Sequence, residues 1–272
     1  MNELDTYLSR WGLITDGELI ITPYSILLPV LYKKMPAMLK FAMTTEERTG
    51  GNLMLWWNGQ GAARILAHDG DALLMERAIG EGSLIWMAKN HQDDKASQII
   101  CAVATILHRS KNKLIPSTLI PLSERFKALE PAASQYGGVI SKASTIAHEL
   151  LNDPQDIVVL HGDLHHGNIL NFGMRGWLAI DPKGLLGERG FDFANIFCNP
   201  DYEIATSYSR LEQQATIVAT AANLDRTRLL KWILAYAGLS AAWHLEDGTK
   251  PEIAIIIAQN AFSMLNSLGI KI

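Results

Sequence analysis

Two kinds of hydrophobic pattern divide the chain. The first 75 or so residues carry short apolar runs parted by turn residues. Residues 18–22 (ELIIT) and 26–32 (ILLPVLY) read as strands, with Thr22-Pro23-Tyr24-Ser25 as the turn between them. Lys33-Lys34-Met35-Pro36 is a second turn and leads into a strand over 37–41, so three strands in meander order are expected. Residues 46–59 (EERTGGNLMLWWNG) read as helical in their second half, with Gly50 and Gly51 weakening the first. Two further strands are expected over 64–67 and 72–75.

Beyond Glu81 the period changes. Ala96, Ile99, Ile100, Val103, Ile106 and Leu107 recur at helical spacing, and further helix is expected from Leu122 to Leu151, ended by Pro154. Short strands follow at 157–160, 169–171 and 177–180. From Tyr202 to Leu268 three helical patterns are separated by Asn223-Leu224-Asp225 and by residues 246–251. The expectation is an α+β molecule: an antiparallel sheet with one helix, then a mainly helical part with an embedded hairpin, forming two lobes around a cleft.

Composition narrows the function classes. Of 272 residues, 48% are hydrophobic and 19% charged, the balance of an ordinary globular protein with a full core. The net charge of −4 gives no basic stripe for nucleic acid. Cys101 and Cys198 stand too far apart for a metal-ligand spacing or a disulfide framework. The opening MNELDTYLSRWG lacks the features of a signal peptide, and no apolar run has the length of a membrane span, so a cytoplasmic protein without a membrane partner is expected.

The candidate chemistry lies in His161-Gly162-Asp163-Leu164-His165-His166-Gly167-Asn168, between two strand-like segments, with Asp181 ending the next strand. Phosphoryl transfer requires a carboxylate beside the attacking hydroxyl and oxygen ligands for the metal that bridges the phosphates. Asp163, Asn168 and Asp181 suit those tasks in order and spacing. A rival reading takes His161, Asp163, His165 and His166 as a zinc cluster, but it leaves Asn168, Asp181 and Lys40 unexplained.

HGDLHHGN resembles the protein-kinase catalytic loop, with Gly162 where protein kinases carry Arg. HGDLHHGNIL with RGWLAIDPKGLLGERGF, together with LWWNGQGAARIL (55–66) and LSAAW (239–243), is similar to the aminoglycoside phosphotransferase and hydroxyurea kinase family, nearest its streptomycin 6-phosphotransferase group. The resemblance implies a protein-kinase-like fold with a nucleotide-binding lobe over 1–78, a connector at about 75–80 and a catalytic and acceptor-binding lobe over 79–272. It implies ATP or GTP as donor, Mg²⁺ as cofactor and a small-molecule hydroxyl as acceptor. A streptomycin-type antibiotic phosphorylated at its 6-hydroxyl leads; hydroxyurea, another small metabolite, or an idle nucleotide-binding module are alternatives.

Residue by residue, the resemblance makes Asp163 the catalytic base and Asn168 and Asp181 the metal ligands, with His161 and Asp192 as structural support. Lys40 matches the lysine that contacts the α- and β-phosphates. Glu47 is its expected partner, with Glu46 second. Backbone groups at Glu76 and Ala78 would meet the adenine edge, and Ser25 would donate to a phosphate from a turn that has no glycine. No long activation loop follows Asp181, which speaks against a protein substrate. For a cationic acceptor, Trp243 and Glu246 are the candidate contacts.

Overall fold

The computed structural model describes residues 3–109 and 114–272. Its N-terminal part runs α1 (Glu3–Trp11), β1 (Leu13–Thr15), β2 (Ile20–Ile21), β3 (Ser25–Tyr32), β4 (Met35–Ala42), α2 (Thr45–Trp57), β5 (Ile65–Asp69) and β6 (Ala72–Glu76). The strands form one antiparallel sheet in the order β1-β3-β4-β6-β5, with β2 on β3. The expected meander is present. The β3–β4 turn is tighter than expected: Lys33 and Lys34 both have positive φ, and Tyr32 pairs directly with Met35. That is the backbone of a two-residue hairpin whose twist matches the strands it joins.

Helix α1 was not anticipated. Its Tyr7 and Trp11 pack on the sheet core of Val30, Ala37, Leu39 and Leu74. Helix α2 also starts earlier than expected. The Thr44 hydroxyl caps it by accepting from the Glu47 amide at 3.3 Å. Gly50 and Gly51 remain within it, and a Cβ at Gly50 would overlap the carbonyl oxygen of Pro182. Gly50 thus sets how closely α2 approaches the segment after Asp181.

The second part contains α3 (Leu84–Lys89), α4 (Asp93–His108), β7 (Ile120–Pro121), α5 (Leu122–Arg125), α6 (Leu129–Tyr136), α7 (Gly138–Asn152), β8 (Ile157–Leu160), β9 (Ile169–Asn171), β10 (Trp177–Ala179) and β11 (Leu185–Glu188). It ends with α8 (Phe191–Ala194), α9 (Tyr202–Ala205), α10 (Tyr208–Ala222), α11 (Arg226–Glu246) and α12 (Glu252–Ser267). The helical stretch before Pro154 is broken at Gly137, whose φ is +61°. β9 and β10 form the expected hairpin. β11 was not expected; it pairs antiparallel with β8 and parallel with β7. Most of α11 is buried, as suits a helix apolar on nearly every face. Among the described residues no helix is long and apolar enough to cross a membrane.

Candidate active site

The loop 161–168 joins β8 to β9 and is fixed from below. Asp192, at the start of α8, is buried and accepts from the His161 amide at 2.9 Å, the Gly162 amide at 2.7 Å and His108 Nε2 at 2.8 Å. Burial alone would raise its carboxyl, but His108 and His161 beside it and the donated hydrogen bonds hold it below the usual range. His161 is also buried. Its Nδ1 accepts from the Asp163 amide at 3.2 Å, so its Nε2 carries the proton and donates to Ile180 O at 2.9 Å. Burial lowers its pKa and keeps the ring neutral. Gly162 has φ +84°, and a Cβ there would meet Leu185 at 2.8 Å, so the arginine of protein kinases has no room.

Above this base the loop presents Asp163. Asn195 Nδ2 donates to one carboxylate oxygen at 2.9 Å, and Asn168 Nδ2 to the other at 3.2 Å and to Asp163 O at 2.9 Å. Both donors leave Asp163 an acceptor aimed by two amides. With its NH₂ committed, Asn168 retains its side-chain carbonyl oxygen, a hard donor suited to Mg²⁺.

Asp181 follows β10 in the left-handed region, with φ +59°. Its carboxylate meets two lysines. Lys40, from the buried middle of β4, ion-pairs with Asp181 and with Glu47 on α2. Lys183 reaches Glu47 Oε1 at 2.8 Å and Asp181 Oδ2 at 3.5 Å. Two cations and two carboxylates therefore form a closed quartet. Burial opposes the charge on Asp181, but Lys40 and Lys183 bring its pKa down to about 2. Burial likewise opposes the charge on Lys183, and the Asp181 and Glu47 carboxylates raise it above the usual lysine value. An ionised Asp181 and the Asn168 oxygen suit a hard divalent cation.

Ser25, Lys40, Glu76, Ala78, Asn168 and Asp181 line one cleft of about 620 Å³ between the two parts of the chain. These six positions come together, with differences of detail. The Glu76 amide already donates to Arg64 O at 3.0 Å, because the β5 edge claims it, so that donor is removed from any base contact. Ser25 is buried and its hydroxyl lies 3.1 Å from Thr22 Oγ1, which also accepts from the Ser25 amide at 2.9 Å. Glu46 points elsewhere than Lys40 and accepts from Arg125 at 2.6 Å.

Trp243 is half-buried on α11, with the Arg125 guanidinium 4.5 Å over its ring and Tyr236 edge-on at 6.4 Å. Burial raises the Tyr236 hydroxyl first, and the Asp163 charge adds to it. Glu246 is exposed at the end of the same helix. The zinc reading of the loop finds no support. Both His161 nitrogens are hydrogen-bonded, His165 Nδ1 accepts from Gly167, and His166 is buried 3.7 Å from Asp93. Among the described residues no three His, Cys, Asp or Glu side chains are grouped to hold a metal.

The fold is that of the two-lobed kinases. A thermostable mutant of the aminoglycoside phosphotransferase APH(4)-Ia, solved with ADP and hygromycin B, superimposes with a TM-score of 0.65 at 13% identity, over 97% of each chain. Residues 10–248 match the aminoglycoside/hydroxyurea antibiotic resistance kinase family, and the chain belongs to it. It is therefore a small-molecule kinase with a hydroxyl group as phosphoryl acceptor. It is 48% identical to a streptomycin 3''-kinase of Klebsiella pneumoniae, over 94% of this chain and 98% of the relative. It is 33% identical to a streptomycin 6-kinase of Streptomyces griseus, over 88% of this chain and 81% of the relative.

Proposed function

We propose that this kinase transfers the γ-phosphoryl group of ATP to streptomycin. The sequence resemblance implied the 6-hydroxyl. The 48% identity to a 3''-kinase, against 33% to a 6-kinase, favours the 3''-hydroxyl instead. The observation that carries the kinase chemistry is Asp163 held by Asn168 and Asn195, with Asn168 lining the same cleft as the Asp181–Lys40–Glu47–Lys183 quartet. A triphosphate in the cleft would lie along Lys40, with Ser25 and the Ala78 backbone at its two ends. Mg²⁺ held by Asn168 and Asp181 would neutralise the phosphate oxygens. Asp163 orients the acceptor hydroxyl and takes its proton late in an in-line displacement. The two amides and the Asp192-anchored loop keep it in position, so positioning and electrostatics do most of the work. The Arg125 guanidinium already covers one face of Trp243, so a cationic acceptor would use the other face, with Glu246 as an outer carboxylate. Dependence on ATP supports the cytoplasmic location expected from the sequence.

The test is incubation with ATP, Mg²⁺ and streptomycin, with mass detection of one added phosphate and NMR assignment of the modified hydroxyl. Asp163→Ala is expected to lower turnover by about 10²–10⁴ with an unchanged melting temperature. Near-normal turnover in a folded D163A protein would sink the assignment of Asp163. ATP binding without transfer to streptomycin, hydroxyurea or a wider acceptor panel would favour the idle nucleotide-binding module.

A further inference from the structure

Lys183 was absent from the residues that the motifs single out, yet its side chain is as buried as that of Lys40, 12% against 10% exposed, and touches the same two carboxylates. Three features of the backbone bring it there. Asp181 and Gly184 on either side of it both have positive φ, which folds the segment back. The Lys183 amide donates to His161 O at 2.7 Å, tying the segment to the catalytic loop. Gly50 lets Pro182 lie against α2, which brings the side chain within reach of Glu47.

The two lysines are not equivalent. Lys40 is held tightly by both carboxylates. Lys183 is held well by Glu47 at 2.8 Å and only at 3.5 Å by Asp181 Oδ2. An ammonium has three donors, so one remains for a further acceptor. Lys183 also lines the same cleft as Asn168 and Asp181.

We propose that Lys183 is a second phosphate-directed cation, which pairs with Asp181 in the empty enzyme and turns to the terminal phosphate of a bound nucleoside triphosphate, with Glu47 as its fixed tether. The proposal rests on the reading of the cleft as a nucleotide site. It explains why four charges are gathered here when one lysine–glutamate pair would position Lys40. The Mg²⁺ that Asn168 and Asp181 would hold offsets only part of a tetra-anionic triphosphate, and Lys40 supplies a single further positive charge. Lys183 supplies a second positive charge at the end of the phosphate chain, where charge-assisted hydrogen bonds are strongest. It forms no covalent bond and acts only as a charged hydrogen-bond donor.

A merely structural Lys183, stapling α2 to the loop, would affect every nucleotide alike. The experiment therefore compares calorimetric affinities for Mg²⁺–ADP and for Mg²⁺ with a non-hydrolysable ATP analogue, in the wild type, Lys183→Met and Lys183→Arg. K183M is expected to weaken the triphosphate about tenfold more than the diphosphate, and K183R to keep most of the preference. Lys183→Gln serves the same comparison should K183M not fold. Equal losses for the two nucleotides, or no loss, would overturn the proposal. A wild type that bound neither nucleotide would overturn both this and the kinase reading. Binding without transfer to any acceptor would count against that function and leave the Lys183 result standing on its own measurement.

Discussion

At the scale of single residues, the site is governed by where side chains cannot go. Gly162 sits between the Asp192 carboxylate, which takes its amide, and Leu185 and the Lys183 Cβ, which would lie 2.8 and 3.2 Å from an added methyl group. Its φ of +84° disfavours any L side chain as well. Gly162→Ala should therefore cost roughly 1–3 kcal/mol in urea unfolding, from overpacking and backbone strain together. It should also lower turnover, since the strained loop carries Asp163 one residue on. A G162A protein as stable and active as the wild type would show that the loop can shift without consequence. The departure from the arginine of protein kinases was visible in the sequence, but its cause was not. Leu185 belongs to β11, a strand that the pattern did not reveal.

At the scale of elements, α2 joins the sheet to the segment after β10 through a pair of contacts with one cause. Gly50 touches Pro182, and one turn earlier Glu47 meets both lysines. Gly50→Ala keeps or improves helix propensity, so a purely local account predicts stabilisation of up to about 1 kcal/mol. The close approach predicts the opposite: a loss of roughly 1–3 kcal/mol, and weaker nucleotide binding as the quartet is pulled apart. The sign of the change in melting temperature decides between the two accounts. The same contrast explains what could be read from the chain. The β3–β4 hairpin, the β9–β10 hairpin and α10 to α12 are specified by near neighbours, and their apolar periods and turn residues showed them. Helix α1, β7 and β11 are short and make sense only against distant partners, as with β11 on Ile120. Asp163, Asn168, Asp181 and Lys40 were legible because a motif fixes their spacing. Lys183 lies within the stretch that carried the resemblance, but its significance depends on Glu47, 136 residues away. Asn195 had no local signal, because its contact with Asp163 arises from the packing of α8 under the loop.

At the scale of the whole molecule, the loop between β8 and β9 commits three histidines to being uncharged. His161, His165 and His166 all have pKa values lowered from 6.5, in each case chiefly by burial. In the unfolded chain these rings regain ordinary values and take up protons as the pH falls through 6.5. The unfolded state then binds more protons than the folded one, so stability must fall with pH from that point downward. Each fully depressed histidine contributes a slope of up to about 1.4 kcal/mol per pH unit. Asp181 acts in a lower window. Its pKa falls from 3.8 to about 2 on folding, so its contribution is intact above pH 3.8 and is lost only below it. Urea unfolding is therefore expected to show a plateau above pH 7, a loss that sets in as the pH falls through 6.5, and a further loss below pH 3.8. Turnover of the folded protein should hold through the first window, because a buried His161 that stays neutral keeps accepting the Asp163 amide, and should fall only where His161 itself takes up a proton. A stability profile flat from pH 7.5 to 5.5 would mean that the loop takes up protons without opening. The histidines would then be solvated in solution, and the rigid anchoring of Asp163 through His161 would have to be given up.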